Sequence, residues 1–300
     1  MNKRLLPVAI GIIGILFFST KAVFVKLAYA YGIASVPLLT LRMVFSLPFY
    51  IATLAFMGGK SNHTTSKDLL WIFLFGFLGY YLASFLDFQG LKYIKASVER
   101  LILFIYPSLV LLLSALFLKQ KATKIQVIAL AISYIGILFV FVPEVEADTS
   151  SNTLLGGVLV FLSGLSYASY IVGSGWLIPK LGATRFTTYC MLVSCSLVIL
   201  HFFLQGGTWE EIINYPYQVY VITLLMAVIS TVVPSYFVSI AIKGLGANQF
   251  AIFGSLGPVS TIVLAYFFLE ETLSTTQFIG GLIVVAGVMA AEKFKAAKGS

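Results

Sequence analysis

The sequence predicts an all-α integral membrane protein of ten transmembrane helices, arranged as two inverted five-helix repeats. Three observations lead there. The first is composition: of 300 residues, 60% are hydrophobic and only 10% charged, with a mean hydropathy of +1.01. A soluble domain carries roughly 25% charged residues, so lipid must be the solvent for most of these side chains. The second is spacing, and the third is an internal repeat; both are read along the chain.

Apolar runs bounded by charge, Gly or Pro fall at 5–30, 35–57, 69–91, 96–118, 124–142, 154–177, 184–205, 217–241, 247–269 and 275–292. Each approaches or reaches the roughly 20 residues that a helix needs to span a bilayer. The first run follows the basic segment Met1–Arg4 and precedes Ala28-Tyr29-Ala30, a pattern shared with cleaved leaders. Lys21 and Lys26 interrupt that pattern, and the repeat needs the segment, so it is read as a retained helix. The longest connections, Gly58–Lys67, Pro143–Thr153 and Gly206–Pro216, leave no room for a soluble domain.

With ten helices, Lys3, Arg4, Lys60, Lys67, Lys119, Lys121, Lys124, Lys180, Arg185, Lys243, Lys293, Lys295 and Lys298 all fall on one side. The opposite loops hold Lys92 and Lys95 and most of the acidic residues, including Glu144, Glu146, Asp148, Glu210, Glu211, Glu270 and Glu271. Basic loops stay cytoplasmic, so both termini are expected there, in a bacterial-type inner membrane. The excess of 19 basic over 11 acidic residues thus points to membrane lipid as partner, not to nucleic acid.

The repeat is carried by Pro107 and Pro258, 151 residues apart, and the same offset pairs Lys92 with Lys243, Gln126 with Gln277 and Gly136 with Gly287. It divides the chain into residues 1–148 and 149–300. Five helices is an odd number, so the second half enters the membrane from the opposite side, as in many secondary transporters. Such halves can exchange conformations and open a central site to each side in turn.

The stretch Leu101–Gly136, LILFIYPSLVLLLSALFLKQKATKIQVIALAISYIG, resembles the signature half of the EamA group of the drug/metabolite transporter superfamily. Ala251–Gly287, AIFGSLGPVSTIVLAYFFLEETLSTTQFIGGLIVVAG, resembles it again. Phe18-Ser19-Thr20, Lys26 and Arg42 fit that family's first two helices. The resemblance implies ten helices around a central cavity and export or exchange of small metabolites, including amino acids and organic anions. Glu271 matches the motif carboxylate of the second half, but Gln120 stands at the first-half position.

Ionisable groups in lipid are costly unless paired or wetted, which makes them functional candidates. Lys21 lies about 24 Å along the first helix, in its outer half. Lys26, Arg42, Asp87, Glu99 and Arg100 fall at a similar depth. The expected result is a net-positive outward vestibule for an anionic or zwitterionic solute, with Lys21 at its centre. Structural readings stand beside this one. Lys26 reaches the outer headgroups if it snorkels, Asp87 is a partner for Arg42, Arg100 or Lys21, and Glu99 pairs with Lys95 at i, i+4 on the surface. Tyr80, Ser84 and Asp87 share a helix face at i, i+4 and i+7, with Tyr167, Tyr170 and Tyr236 as weaker pathway candidates. Pro107 and Pro258 each delete a helical hydrogen bond near mid-membrane and are hinge candidates. Small residues at Ala129, Gly136, Gly280, Gly281 and Gly287 suit packing of helices five and ten.

Nothing points to an enzyme. Gly59-Lys60-Ser61 lacks the first glycine of a phosphate-binding loop, where Leu54 stands. His63 and His201 make no metal-ligand spacing, and no nucleophile motif is present. Cys190 and Cys195, about 140° apart on a helix, point away from each other and are expected to be free thiols. The expectation is therefore a transporter without cofactor or metal, working as a monomer on a small-molecule solute; the alternative is an integral membrane enzyme or sensor that transports nothing.

Overall fold

The computed structural model describes residues 5–57, 65–117, 152–247, 250 and 256–296, with scattered positions between 128 and 143. Every regular element among these residues is helical. The elements are α1 (Leu5–Ser19), α2 (Lys21–Tyr29), α3 (Ser35–Phe56), α4 (Ser66–Gly76), α5 (Ala83–Gly90), α6 (Ala96–Leu103), α7 (Tyr106–Phe117), α8 (Asn152–Leu181), α9 (Ala183–Leu204), α10 (Trp209–Ile213), α11 (Tyr217–Ala227), α12 (Val233–Leu245), α13 (Leu256–Leu269) and α14 (Thr275–Ala296). Two π-helical segments, Phe77–Leu82 and Val228–Val232, join α4 to α5 and α11 to α12.

Seven segments are long and apolar enough to cross a membrane: Leu6–Tyr29, Ser35–Phe56, Ser66–Gly90, Ala96–Phe117, Asn152–Leu181, Ala183–Leu204 and Tyr217–Leu245. Each coincides with an expected run. The expected run 124–142 lies mostly outside the described residues, as do Gly59, Lys60, Ser61, His63, Gln120, Gln126 and Ala129. The run 247–269 is described mainly from residue 256 onward, and the last run is α14. The loop expected at Gly206–Pro216 contains one short helix, α10.

The helices turn their large apolar side chains outward as well as inward. Phe56 is 89% exposed and Phe117 75% exposed, and Leu70, Leu204 and Phe267 also face outward. In water such a surface would aggregate; in a bilayer it is the correct outer face. The interior is also largely apolar, and the buried serines, threonines and few charges are gathered within it.

Four of the seven segments are interrupted, each for a local reason. The first breaks at Thr20. Ser19 Oγ donates to the Ile15 carbonyl at 2.7 Å and Thr20 Oγ1 to the Phe17 carbonyl at 2.7 Å. Such back-bonding competes with the helical ladder and bends it. The Ser19 carbonyl accepts instead from Thr261 Oγ1 at 3.0 Å. The fourth segment breaks at Phe104–Ile105. Pro107 has no N–H to offer the Leu103 carbonyl, so a helical bond is missing there.

The third interruption is the π segment of α4–α5, which frees backbone carbonyls inside the membrane. Serines of α8 satisfy its neighbourhood: Ser166 Oγ donates to the Leu78 carbonyl and Ser163 Oγ to the Ala83 carbonyl, both at 2.7 Å. The helices approach closely here. A Cβ on Gly79 would collide with the Tyr170 ring, and one on Gly173 with the Phe75 ring. In the segment Tyr217–Leu245 the π turn is held from within, by Thr231 Oγ1 donating to the Met226 carbonyl at 3.0 Å.

Packing follows a regular scheme. α1 lies along α12, and α5 lies along α8. α3 packs on α9, and α6 on α13. Gly281 of α14 meets Leu101 of α6, so at that glycine the small residues of the last helix serve contact with the fourth segment.

Candidate functional site

The breaks and π segments converge on one interior region. Thr20 Oγ1 lies 2.7 Å from Ser230 Oγ, which ties the break in the first segment to the second π segment. α2 begins immediately beyond the break, and its first residue is Lys21. The side chain turns inward: Lys21 Nζ lies 2.6 Å from Asp87 Oδ2 and 3.6 Å from Glu99 Oε1. It also sits 5.3 Å from the centre of the Phe18 ring, within range of a cation–π contact. The three charged residues are buried, with Asp87 and Glu99 at 0% exposure.

Two guanidinium groups flank this cluster. Arg42 is 1% exposed; its Nε donates to Thr231 Oγ1 at 2.6 Å and its Nη1 to Ser84 Oγ at 3.3 Å. Its charge rests over the Phe88 ring at 5.4 Å. Arg100 donates from Nη2 to Ser19 Oγ at 3.1 Å and lies against Gly257, where any Cβ would strike it. Hydroxyl groups hold both arginines, and neither forms an ion pair among the described residues. Asp87 therefore pairs with Lys21, not with Arg42 or Arg100.

A narrow cavity of about 50 Å³ opens beside the cluster. Lys21, Tyr80, Ser84, Arg100, Tyr106 and Tyr167 contribute to its wall. It has room for a few water molecules. The wall combines cationic tips with aromatic faces. Tyr106 and Tyr167 meet edge to face, and Tyr167 stacks on both Phe18 and Tyr170.

The expected site residues fall as follows. Lys21, Asp87, Arg42, Ser84 and Arg100 meet in the interior region, and Tyr80 joins them through a 3.2 Å contact between its hydroxyl and that of Tyr170. The stripe of Tyr80, Ser84 and Asp87 is buried along its length. Lys26 is half-buried on the last turn of α2. Of the weaker tyrosines, Tyr167 reaches the cavity, Tyr170 stands behind it, and Tyr236 turns away to Thr188 and Tyr50. Pro107 is buried just after the break between α6 and α7. Pro258 is the third residue of α13, and residues 251–255 before it lie outside the described part. Cys190 and Cys195 are free and buried.

One expectation is overturned. Glu99 does not pair with Lys95 on the surface; it is fully buried and faces Lys21 and Asp87. The i, i+4 spacing was sound for an isolated helix, but α6 buries Ala96 through Leu103 apart from Arg100, so Glu99 is on an interior face. Val98, Leu101 and Ile102, its apolar neighbours, were the available signal.

The motif carboxylate has a plain structural job. Glu271 accepts from the Ala96 N–H at 2.9 Å, the Ser97 N–H at 3.0 Å and Ser97 Oγ at 2.7 Å. It caps the start of α6 from the loop between α13 and α14, where first-turn N–H groups have no helical partner. That cap fixes α6, and with it Glu99 and Arg100.

Comparison with known proteins agrees with this architecture. The EamA-like transporter family matches residues 5–142 and again 154–291. The chain is 29% identical over 292 residues to the uncharacterized transporter YcbK of Bacillus subtilis, covering 96% of this chain and 93% of that protein. It is 26% identical over 240 residues to the uncharacterized transporter YyaM of the same organism, covering 79% and 78%. In fold it is similar to a protein of known crystal structure, with a TM-score of 0.66 at 17% identity over 99% of this chain and 100% of that one. With two matches spanning nearly its whole length, and with seven membrane-crossing segments, the chain is a multi-pass membrane protein of the EamA-like transporter family.

Proposed function

We propose that this protein is a secondary transporter moving a small carboxylate-bearing metabolite, an amino acid or organic anion, by alternating access, in export or exchange. It works as a monomer in a bacterial-type inner membrane, with ten helices in two inverted repeats, residues 1–148 and 149–300, and both termini cytoplasmic. The observation that carries the reading is the interior cavity walled by Lys21, Arg100 and tyrosines. A guanidinium and an ammonium recognise a carboxylate by charge-assisted hydrogen bonds, and the aromatic faces suit an apolar remainder.

Symmetry supports the transport mechanism. The π segments begin at Phe77 and Val228, 151 residues apart, the same offset that relates Pro107 to Pro258. The packing scheme also survives exchange of the halves. α1 on α12 maps onto α8 on α5, while the α3–α9 and α6–α13 pairs map onto themselves. Halves related in this way can trade conformations, and the central cavity then faces each side in turn.

The test is uptake of labelled L-glutamate, L-aspartate and succinate into vesicles containing the purified protein. Arg100→Gln is expected to weaken carboxylate affinity about tenfold to a hundredfold, the loss of about 1.5–3 kcal/mol for a hydrogen bond to a charged group. Uptake unchanged by Arg100→Gln would remove the cavity from the pathway.

A further inference from the structure

The buried cluster holds more negative charge than its one close cation can balance. Asp87 and Glu99 are both at 0% exposure, and Lys21 lies 2.6 Å from the first and 3.6 Å from the second. Both carboxyl groups gather around the same ammonium, and like charges so close in a buried site disfavour each other's ionised form. No oxygen of Asp87 or Glu99 accepts a hydrogen bond from any described N–H or O–H group, and of the two it is Glu99 that lies farther from Lys21. An ionised carboxylate without donors is the costliest group a protein interior can hold.

Among the described residues, the other cations of this region are held by other partners. From α2 come Lys21, committed to Asp87, and Tyr29, whose hydroxyl donates to the Phe88 carbonyl. From α3 comes Arg42, held by Thr231 and Ser84. Arg100, the next residue on α6, turns to Ser19. Tyr80 and Tyr167 line the neighbouring cavity from the first π segment and from α8. α1 has no ionisable side chain, and α13 has only Tyr266, which faces outward.

We propose that Glu99 is a proton-binding site that couples solute movement to protons: it is neutral in this conformation and ionises when the cavity opens to water. The inference rests on the proposed transport of carboxylates and assigns the coupling ion. The chemistry is one O–H bond. When Glu99 releases its proton to water, its carboxylate draws Lys21 into a bridge with Asp87, and the cavity keeps its charge balance. When a solute carboxylate arrives and engages Lys21 and Arg100, an ionised Glu99 would repel it, so the proton returns. Anion and proton favour each other's binding, and the linkage is reciprocal. They cross together.

The experiment has two arms. Infrared spectra of the purified wild-type protein at neutral pH are expected to show the carbonyl stretch of a protonated carboxylic acid. It should shift when the protein is grown with carboxyl-13C glutamate and stay in place with carboxyl-13C aspartate. Glu99→Gln should lack it, and the isotope result stands without that variant should it fail to fold. In the second arm, wild-type vesicles carrying an entrapped pH dye are given L-glutamate, L-aspartate or succinate, and the lumen should acidify in step with solute entry. Absence of the acid band, or a shift with labelled aspartate, overturns the proton site. Solute entry with a constant lumenal pH overturns the coupling. An acid band on glutamate with none of the three anions moving leaves the proton site standing and instead sinks the reading of this protein as a carboxylate transporter.

Discussion

At the scale of single residues, Lys21 decides the most. Its ammonium meets a buried carboxylate at 2.6 Å, so removing it leaves Asp87 without its cation. Breaking a buried pair from one side costs about 3–5 kcal/mol. Lys21→Met keeps the side-chain length and is expected to lower the melting temperature of the purified protein markedly. Lys21→Met with Asp87→Asn removes both charges and should restore the melting temperature. Solute uptake should not return with it, because the cavity has lost a cation that engages the carboxylate. Recovery of both stability and uptake in the double variant would reduce Lys21 to a structural ion pair. Sequence alone named both partners, since an ammonium at that depth demands a carboxylate and Asp87 lay at the same level. It misassigned Glu99, because the i, i+4 rule describes one helix in water and does not know which face is buried.

At the scale of elements, the informative features are interruptions. Pro107 follows the break between α6 and α7. Pro107→Ala supplies the missing N–H for the Leu103 carbonyl and should straighten the segment. Inserted, folded protein with uptake slowed about tenfold, equivalent to 1.4 kcal/mol of barrier, is the expected outcome. Unchanged uptake would make the break a static feature. Glu271 supports the same segment from its N-terminal end. Glu271→Ala removes three acceptor contacts from the start of α6 and should cost about 1–3 kcal/mol, read as an earlier thermal transition. The prolines were legible because the ring forbids a donor in any context. The break at Thr20 and the two π segments were not, because each depends on hydroxyls whose partners lie on other helices, such as Ser163 and Ser166 against the first π segment.

At the scale of the whole molecule, the prediction is topological. Reporter fusions within Lys60–Lys67, within Lys119–Lys124 and after the last residue should report the cytoplasm, and a fusion within Glu144–Asp148 the opposite side. A C-terminus found outside would sink the ten-helix count and the inverted repeat together. The same fusions test the asymmetry of basic residues, which places an energetic preference on one orientation.

What the sequence by itself determined was the solvent, the segments and the family. Too few charges to cover a water-facing surface leave lipid as the only consistent surroundings, and backbone groups in lipid must be bonded within each helix. Those are local rules, readable residue by residue, and all seven described membrane-crossing segments have the length and apolar character they require. The tertiary structure alone decided which ionisable groups meet. Lys21, Asp87 and Glu99 come from three helices, and their convergence is set by how α2, α5 and α6 pack around the break at Thr20. Depth along a helix can be counted in a sequence. Rotation about its axis depends on the helices packed against it.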